Sequence, residues 1–279
     1  MTTTTRRLWK LCASLALLSA GMGTMNAQAQ TWWKPGANTT WQWQLKGKIN
    51  TSYAADVYDV DLFDTSVTQI NALKAQGRKV VCYFSAGSYE NWRADKNSFQ
   101  STDYGKPLDP EWEGEWWLDI RSTNVRNIML SRLDTARSKG CDGVEPDNVD
   151  GYSNTTGFPL TAAHQLDYNK FLANAAHSRG LAIALKNDVD QLSALEPYFD
   201  MALNEQCNEY SECGGYSVFT SKGKPVFNAE YASKYRTNKK QARDKLCSSM
   251  NAAGIKTLVL ALELDDTYRY ACFAPTVRK

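Results

Sequence analysis

Histidine is nearly missing from this chain, with only His164 and His177 among 279 residues. That shortage excludes most of the usual hydrolytic machinery. A Ser-His-Asp or Cys-His arrangement needs an imidazole base beside its nucleophile, and a catalytic zinc site usually draws on several His ligands. No Cys-x-x-Cys pair and no EF-hand spacing occurs, so zinc and calcium are both without a recognisable ligand set. Both His fall in a stretch, 161–179, patterned as a helix, and are read as ordinary helix residues. A strong charge of one sign is also lacking. The formal charge of +2 excludes the basic surface by which a nucleic-acid binder displaces counterions. The longest apolar run, Leu11 to Met22, is about 12 residues against the ~20 that span a bilayer. With 43% hydrophobic and 22% charged residues, what remains is an ordinary globular protein.

The first 29 residues read as a secretory leader. Arg6, Arg7 and Lys10 form a basic stretch without an acid, the apolar run follows, and Ala27-Gln28-Ala29 supplies the small-x-small cleavage pattern. Removal near Ala29 leaves one domain, 30–279, with 29 basic and 30 acidic residues. It has no membrane span. Of seven cysteines, Cys12 leaves with the leader, and six in an exported chain point to disulfides. Cys207 and Cys213 enclose a short local loop, and Cys247 with Cys272 is the next expected pair. Cys82 and Cys141 either pair or stay as buried thiols.

One rhythm repeats along 30–279: an amphipathic stretch, a glycine, then a short apolar run. Residues 64–76 carry Val67, Ile70 and Leu73 at helical spacing, with Asp64 as N-cap, and Gly77 precedes Lys79–Phe84. Residues 122–139, capped by Ser122, carry Val125, Ile128, Met129 and Leu133 and end at Gly140; 161–179 end at Gly180, and 232–253 at Gly254. Glycine after a helix supplies the left-handed closing residue, and short β-rich runs between helices imply parallel βα units. Eight candidate strands centre on 41–45, 55–59, 79–84, 143–147, 181–186, 201–205, 225–230 and 257–262. The fold class expected is α/β, a single (β/α)8 TIM-type barrel, irregular around the first two strands, where the connection is too short for a helix. A doubly wound open sheet is the alternative, disfavoured because no Gly-rich phosphate loop follows the first strand.

In a barrel, function sits at the C-terminal strand ends, and here those ends are acidic. Asp59 and Asp61 end the second strand, Glu145, Asp147 and Asp150 fall at the end of the fourth, Glu205 ends the sixth and Glu230 the seventh; Asp265 and Asp266 lie beyond the eighth. Carboxylates alone suffice for glycoside hydrolysis, where one protonates the leaving oxygen and the other attacks carbon or activates water. No metal or cofactor is called for. Aromatic rings that could face a sugar are Trp41, Trp43, Trp116, Trp117, Tyr58, Tyr83, Tyr152 and Tyr231, while Trp32, Trp33 and Trp112 are read as packing residues.

The run Gly143-Val144-Glu145-Pro146-Asp147-Asn148-Val149-Asp150-Gly151-Tyr152 resembles the fourth-strand motif of glycoside hydrolase family 114, the endo-α-1,4-polygalactosaminidases. Matches continue in Cys82–Gly87, Trp117–Arg121, Leu185-Lys186-Asn187, Asn204–Cys207 and Glu230-Tyr231. The resemblance implies a barrel that cleaves α-1,4-linked, partly or fully deacetylated galactosamine polymers. It places the catalytic pair at Asp147, as nucleophile, and Glu205, as acid/base, with retention. Substrate contacts are expected from Asp59, Tyr83, Asp119, Asn148, Asp150, Lys186, Asn187, Glu230 and Tyr231. Glu145, two residues before Asp147, points the same way but deeper. A rim formed by Asp59, Asp61, Asp150, Glu230, Asp265 and Asp266 would concentrate a polycation. The expected partner is therefore a cationic galactosamine-containing polysaccharide, met by a secreted monomer. A non-catalytic polysaccharide-binding barrel and a hydrolase of neutral α-galactosides are the alternatives.

Overall fold

The short apolar runs pair side by side in a computed structural model, which describes residues 1–2, 31–109 and 112–274. The expected leader and its cleavage point therefore lie outside the described residues, apart from Met1 and Thr2. Eight strands run parallel in the order β1 (Trp41–Gln44), β2 (Val57–Asp61), β3 (Lys79–Ser85), β7 (Gly143–Asp147), β8 (Ala182–Lys186), β9 (Met201–Glu205), β10 (Val226–Glu230) and β11 (Ile255–Leu260). A ninth, β12 (Arg269–Ala271), lies antiparallel on β11. Three further strands, β4 (Ser88–Glu90), β5 (Tyr104–Pro107) and β6 (Glu115–Leu118), form a separate antiparallel sheet inserted between β3 and β7.

The large sheet curls until its ends meet. Trp41 Nε1 on β1 donates to the Lys256 carbonyl on β11 at 2.7 Å, and Arg269 on β12 reaches the side chain of Gln42. The amides of Leu45 and Lys46 both donate to the Leu264 carbonyl, at 3.0 and 3.2 Å. Among the described residues no strand ladder joins β1 to β11 or β12. The eight parallel strands expected from the sequence are present, and side-chain and loop bonds join the ends where a closed barrel would carry a ladder.

Strand alternation sorts the side chains into two cores. Val57, Val81, Ala182, Ala184, Met201, Leu203, Phe227 and Leu258 pack inside the curl with Trp41 and Trp43. The alternate residues, including Tyr58, Val60, Val80, Cys82, Val144, Ile183 and Val226, face the helices. Those helices are α1 (Val67–Ala75), α2 (Thr123–Lys139), α3 (Ala162–Ser178), the short α4 (Leu192–Leu195), α5 (Ser217–Thr220) and α6 (Ser233–Arg236), and α7 (Ala242–Ala252). The connection from β1 to β2 carries no helix among the described residues, as its length implied.

Several local expectations are corrected. The N-cap of α1 is Ser66, which forms a reciprocal capping box with Gln69; Asp64 lies outside the helix, and Val67 is exposed. The single helix expected over 232–253 is broken between α6 and α7, where Asn238, Lys240 and Gln241 take positive φ. Ser122 caps α2 as expected, and Gly140 closes it at φ 88°. His164 completes a capping box with Thr161, and His177 bonds Asp200 beneath the stacked ring of Trp32. Three disulfides form, Cys82–Cys141, Cys207–Cys213 and Cys247–Cys272, and the first settles the pairing left open by sequence.

Arg132 ties the inserted sheet to α2. Its side chain is 1% exposed, makes two bonds to Asp95 at 2.8 and 3.0 Å, donates to the Ser85 carbonyl at 2.6 Å and lies 3.7 Å from Glu90. Removing one partner of such a cluster leaves buried charge uncompensated. Arg132→Met is expected to lower unfolding free energy by about 3–5 kcal/mol in urea denaturation. A loss below about 1 kcal/mol would show that the cluster is not a structural tie.

Candidate active site

The inward-facing strand residues end in a polar layer. Continuing the parity of Val81, Gly143, Ala182 and Met201 places Tyr83, Glu145, Asp147, Lys186 and Glu205 inside the curl, toward the C-terminal strand ends. Immediately after three of these strands the chain turns through left-handed conformations, at Asn148 (φ 59°), Asn187 (φ 47°) and Gln206 (φ 64°). Asparagine tolerates this region better than most residues, and such local cost is typical of functional sites. Gly87 fits the same turn. A Cβ there would lie 1.7 Å from the Asn148 carbonyl oxygen, so the chain after β3 can close on the Asp147 loop only with glycine.

At the centre of the layer is an ammonium group. Lys186 is 1% exposed, and its Nζ lies 3.0 Å from Asp147 Oδ1, 2.9 Å from Glu205 Oε2 and 3.3 Å from Glu145 Oε1. Burial alone would lower its pKa, but the facing carboxylates of Asp147, Glu205 and Glu145 outweigh that and hold it well above the usual lysine range. With arms of this length, the nearest oxygens of Asp147 and Glu205 are no more than about 5.9 Å apart.

Each of the two carboxylates has further donors. Asp147 accepts the Tyr83 hydroxyl at 3.1 Å and the Asn148 amide at 2.7 Å. Glu205 accepts the Tyr231 hydroxyl, and its own amide donates to Asn187 Oδ1 at 3.0 Å. Burial and the neighbouring carboxylates push both phenols well above the ordinary tyrosine range, so both remain donors. Beneath them, Asp59 and Glu145 form a buried acid pair. Desolvation pushes Asp59 up to about 7 and Glu145 well above the carboxylate range, so the pair retains a proton into neutral pH.

Tyr83, Asp147, Lys186 and Glu205 floor a cavity of about 990 Å³, walled by the inserted sheet and by the loops after β1, β2 and β11. Its lining carries the carboxyls of Asp61, Asp64, Glu90, Glu113, Glu115, Asp147, Asp150, Glu205 and Glu263 against only Lys46, Arg93 and Lys186. Burial raises Glu115 to about 7 and Asp150 to about 6, so the cavity gains negative charge as pH rises through that range.

Of the residues expected at the site, Asp147, Glu205, Tyr83, Asn148, Asp150, Lys186 and Asn187 line this cavity. The others are placed differently. Asp59 is 3% exposed and lies below the floor. Glu230 has the parity of Val226 and faces the helix layer, where it accepts the Asn208 amide at 2.8 Å and braces the loop after Glu205. Tyr231 is buried and acts on Glu205. Asp119 is paired with Arg121 at 2.8 Å, outside the cavity lining. Asp265 and Asp266 also lie off the lining, so the acidic rim is composed largely of other residues.

The aromatic expectations shift as well. Trp43 and Trp117 line the cavity, Trp41 and Tyr58 are core, and Trp116 packs against Tyr89 and Tyr104. Trp112, read as packing, stands in the cavity wall with the unremarked Trp92. Most missed residues come from the inserted sheet. The short aromatic-rich apolar run Trp116-Trp117-Leu118 is the signal available for a strand there.

A carboxylate pair in an acidic cleft, clamped by one cation, is an arrangement that glycoside hydrolysis can use. The profile of glycoside-hydrolase family GH114 matches residues 23–274, and the chain belongs to that family, the one its fourth-strand motif resembles. A protein of Deinococcus radiodurans, described only as uncharacterized, is 25% identical over 232 residues, 71% of this chain and 75% of its own length. The crystal structure of Aspergillus fumigatus Ega3 in complex with galactosamine superposes with a TM-score of 0.81 at 46% identity, over 87% of this chain and 98% of that one. The glycoside hydrolase domain of PelA from Pseudomonas aeruginosa shares the fold, with a TM-score of 0.62 at 16% identity over 81% of this chain and 95% of that one.

Removing the central cation has a signed consequence. Without it Asp59, Glu145 and Asp150, which the ammonium pulls down, hold their protons to higher pH. Lys186→Met is expected to lower kcat about 10²-fold or more and to move the acid limb of the pH–rate profile up by about one unit or more. Circular dichroism confirms that the variant is folded. An unmoved acid limb in a folded variant would contradict the assigned role.

Proposed function

We propose that this protein is a secreted, endo-acting hydrolase of α-1,4-linked, cationic galactosamine polysaccharide that works with retention through Asp147 and Glu205. The observation that carries this reading is the Lys186-bridged carboxylate pair on the floor of an acidic cavity. Nearest oxygens within about 5.9 Å suit direct attack by one carboxylate, since an inverting pair is usually set ~6.5–9.5 Å apart to admit a water. Kinship with Ega3, whose structure holds galactosamine, supports the sugar. The excess of cavity carboxyls supports a substrate bearing ammonium groups. Three disulfides support an oxidising, extracytoplasmic destination and hence the secretory leader over 1–29. A monomer suffices, because one chain supplies every group named.

Asp147, fixed by Lys186, Tyr83 and its neighbour's amide, attacks the anomeric carbon as the glycosidic bond breaks. Glu205, the more exposed of the pair with 28% of its side chain accessible against 17%, gives its proton to the leaving oxygen. Water, deprotonated by Glu205, then displaces Asp147 and regenerates both groups. Tyr231 keeps the Glu205 carboxyl oriented through both steps.

Reducing-end release from partly deacetylated α-1,4-polygalactosamine tests the reading. The parent chain should release oligosaccharides. Glu205→Gln should lower kcat by about 10²–10⁴-fold, and Asp147→Asn by about 10³-fold or more, with polymer binding retained. Activity should fall with added salt as the cavity's field is screened. Binding without turnover by the parent would make the protein a polysaccharide-binding barrel. Salt-insensitive activity confined to uncharged α-galactosides would overturn the substrate.

A further inference from the structure

The catalytic floor occupies only part of the cavity. Its wall, built from the inserted sheet and its turns, presents two tryptophans that hydrophobic burial would ordinarily have hidden. Trp92 is 51% and Trp112 39% exposed, and both line the same cavity as Asp147 and Glu205. Among the described residues neither ring is stacked on another aromatic, whereas Trp116 on the same sheet packs against Tyr89 and Tyr104. The placement of Trp92 is built in. Gly114 sits under its ring, and a Cβ there would come within 3.0 Å of Trp92 Cζ3 and 2.9 Å of Asn91 Oδ1. Gly114 also has φ +95°, which few other residues adopt, and its carbonyl accepts the Asn91 amide at 3.0 Å. Trp112 belongs to the turn into β6, where its amide donates to the Asp109 carbonyl at 3.0 Å and its carbonyl accepts the Glu115 amide at 3.2 Å.

Two carboxylates accompany the rings. Asp64, whose side chain is 79% exposed, lines the same cavity from the loop after β2, and Glu113, also exposed, from the turn into β6. The cations near Asp64 are Arg93, at 3.9 Å, and Lys139; Arg93 is engaged at 2.8 Å by both Asp61 and Glu90, and Lys139 donates to the Leu62 carbonyl at 2.6 Å. An aromatic face suits the C–H face of a pyranose ring, and an under-neutralised carboxylate beside it suits an ammonium substituent.

We propose that Trp92 and Trp112, with Asp64 and Glu113, form a distal subsite that holds a further amino-sugar residue of the polymer, away from the bond being cleaved. It rests on the reading of the cavity as a galactosamine-polymer cleft and explains how an endo-acting enzyme would grip a long chain. The rings supply stacking to any pyranose, and the acids select the deacetylated one.

The test uses the full mature chain and α-1,4-galactosamine oligosaccharides of increasing length. Trp92→Ala and Trp112→Ala should each raise KM for the long polymer about three- to tenfold, with a penalty that shrinks as the substrate shortens. Trp92→Phe should recover most of the loss. Asp64→Asn combined with Glu113→Gln should weaken deacetylated oligosaccharides and leave the fully acetylated series less affected. Quenching of tryptophan fluorescence by the same oligosaccharides, in the Glu205→Gln background, reads binding without turnover. It should diminish when Trp92 and Trp112 are replaced. A parent chain that cleaves the polymer, but whose Trp variants show parental KM and parental quenching, would overturn the subsite. So would a loss equal at every chain length. A parent that fails to cleave contradicts the activity reading instead, and the quenching titration still decides the subsite: no length-dependent quenching overturns it.

Discussion

One buried ammonium organises the candidate active site. Lys186 has almost no access to water, and three carboxylates lie within 3.3 Å of it. Each acid would be costly to keep charged so close to the others, and the lysine would be costly to bury alone. Together they settle, because the cation is shared and the deeper pair, Asp59 and Glu145, keeps a proton. The chemical consequence is distance. A cation that touches both Asp147 and Glu205 sets how far apart they stand, and that separation decides between attack by carboxylate and attack by water.

The fold delivers these groups by strand parity and sharp strand exits. Asp147, Lys186 and Glu205 are the last residues of three neighbouring strands, and each is followed by a left-handed residue that turns the chain out of the way. A second layer of polar contacts, Tyr83, Tyr231 and Asn187, holds the acids in place. The inserted sheet adds a wall to what strand ends alone would leave as a shallow floor. It brings carboxylates and exposed tryptophans over the site, anchored by Arg132 and by the Arg93 bridges to Asp61 and Glu90.

Much of this could be read before any coordinates. The eight parallel strands fall at the apolar runs, four of them just after a glycine-ended helix, because backbone period and helix closure are local properties. The Glu145–Tyr152 run pointed to the acid at 147 through its resemblance to the family's fourth-strand motif, and the fold places that acid in the cavity lining. What failed needed parity or long-range pairing. Glu230 sits at a strand end like Glu205, yet shares its face with Val226 and turns away from the cavity. Asp59 points inward but lies one layer too deep. The inserted sheet was passed over because its strands are three or four residues long and paired only through tertiary contacts. Trp112 reads as a packing residue because sequence carries no measure of exposure.

The stereochemistry of the first product tests the central claim most directly. Anomeric proton signals recorded in the first minutes of α-1,4-polygalactosamine cleavage distinguish the two geometries. Two carboxylates held by one ammonium should yield the α-anomer first, with the β-anomer appearing only as the sugar mutarotates. Initial formation of the β-anomer would mean that water attacks directly and that Lys186 does not hold Asp147 and Glu205 at the separation described.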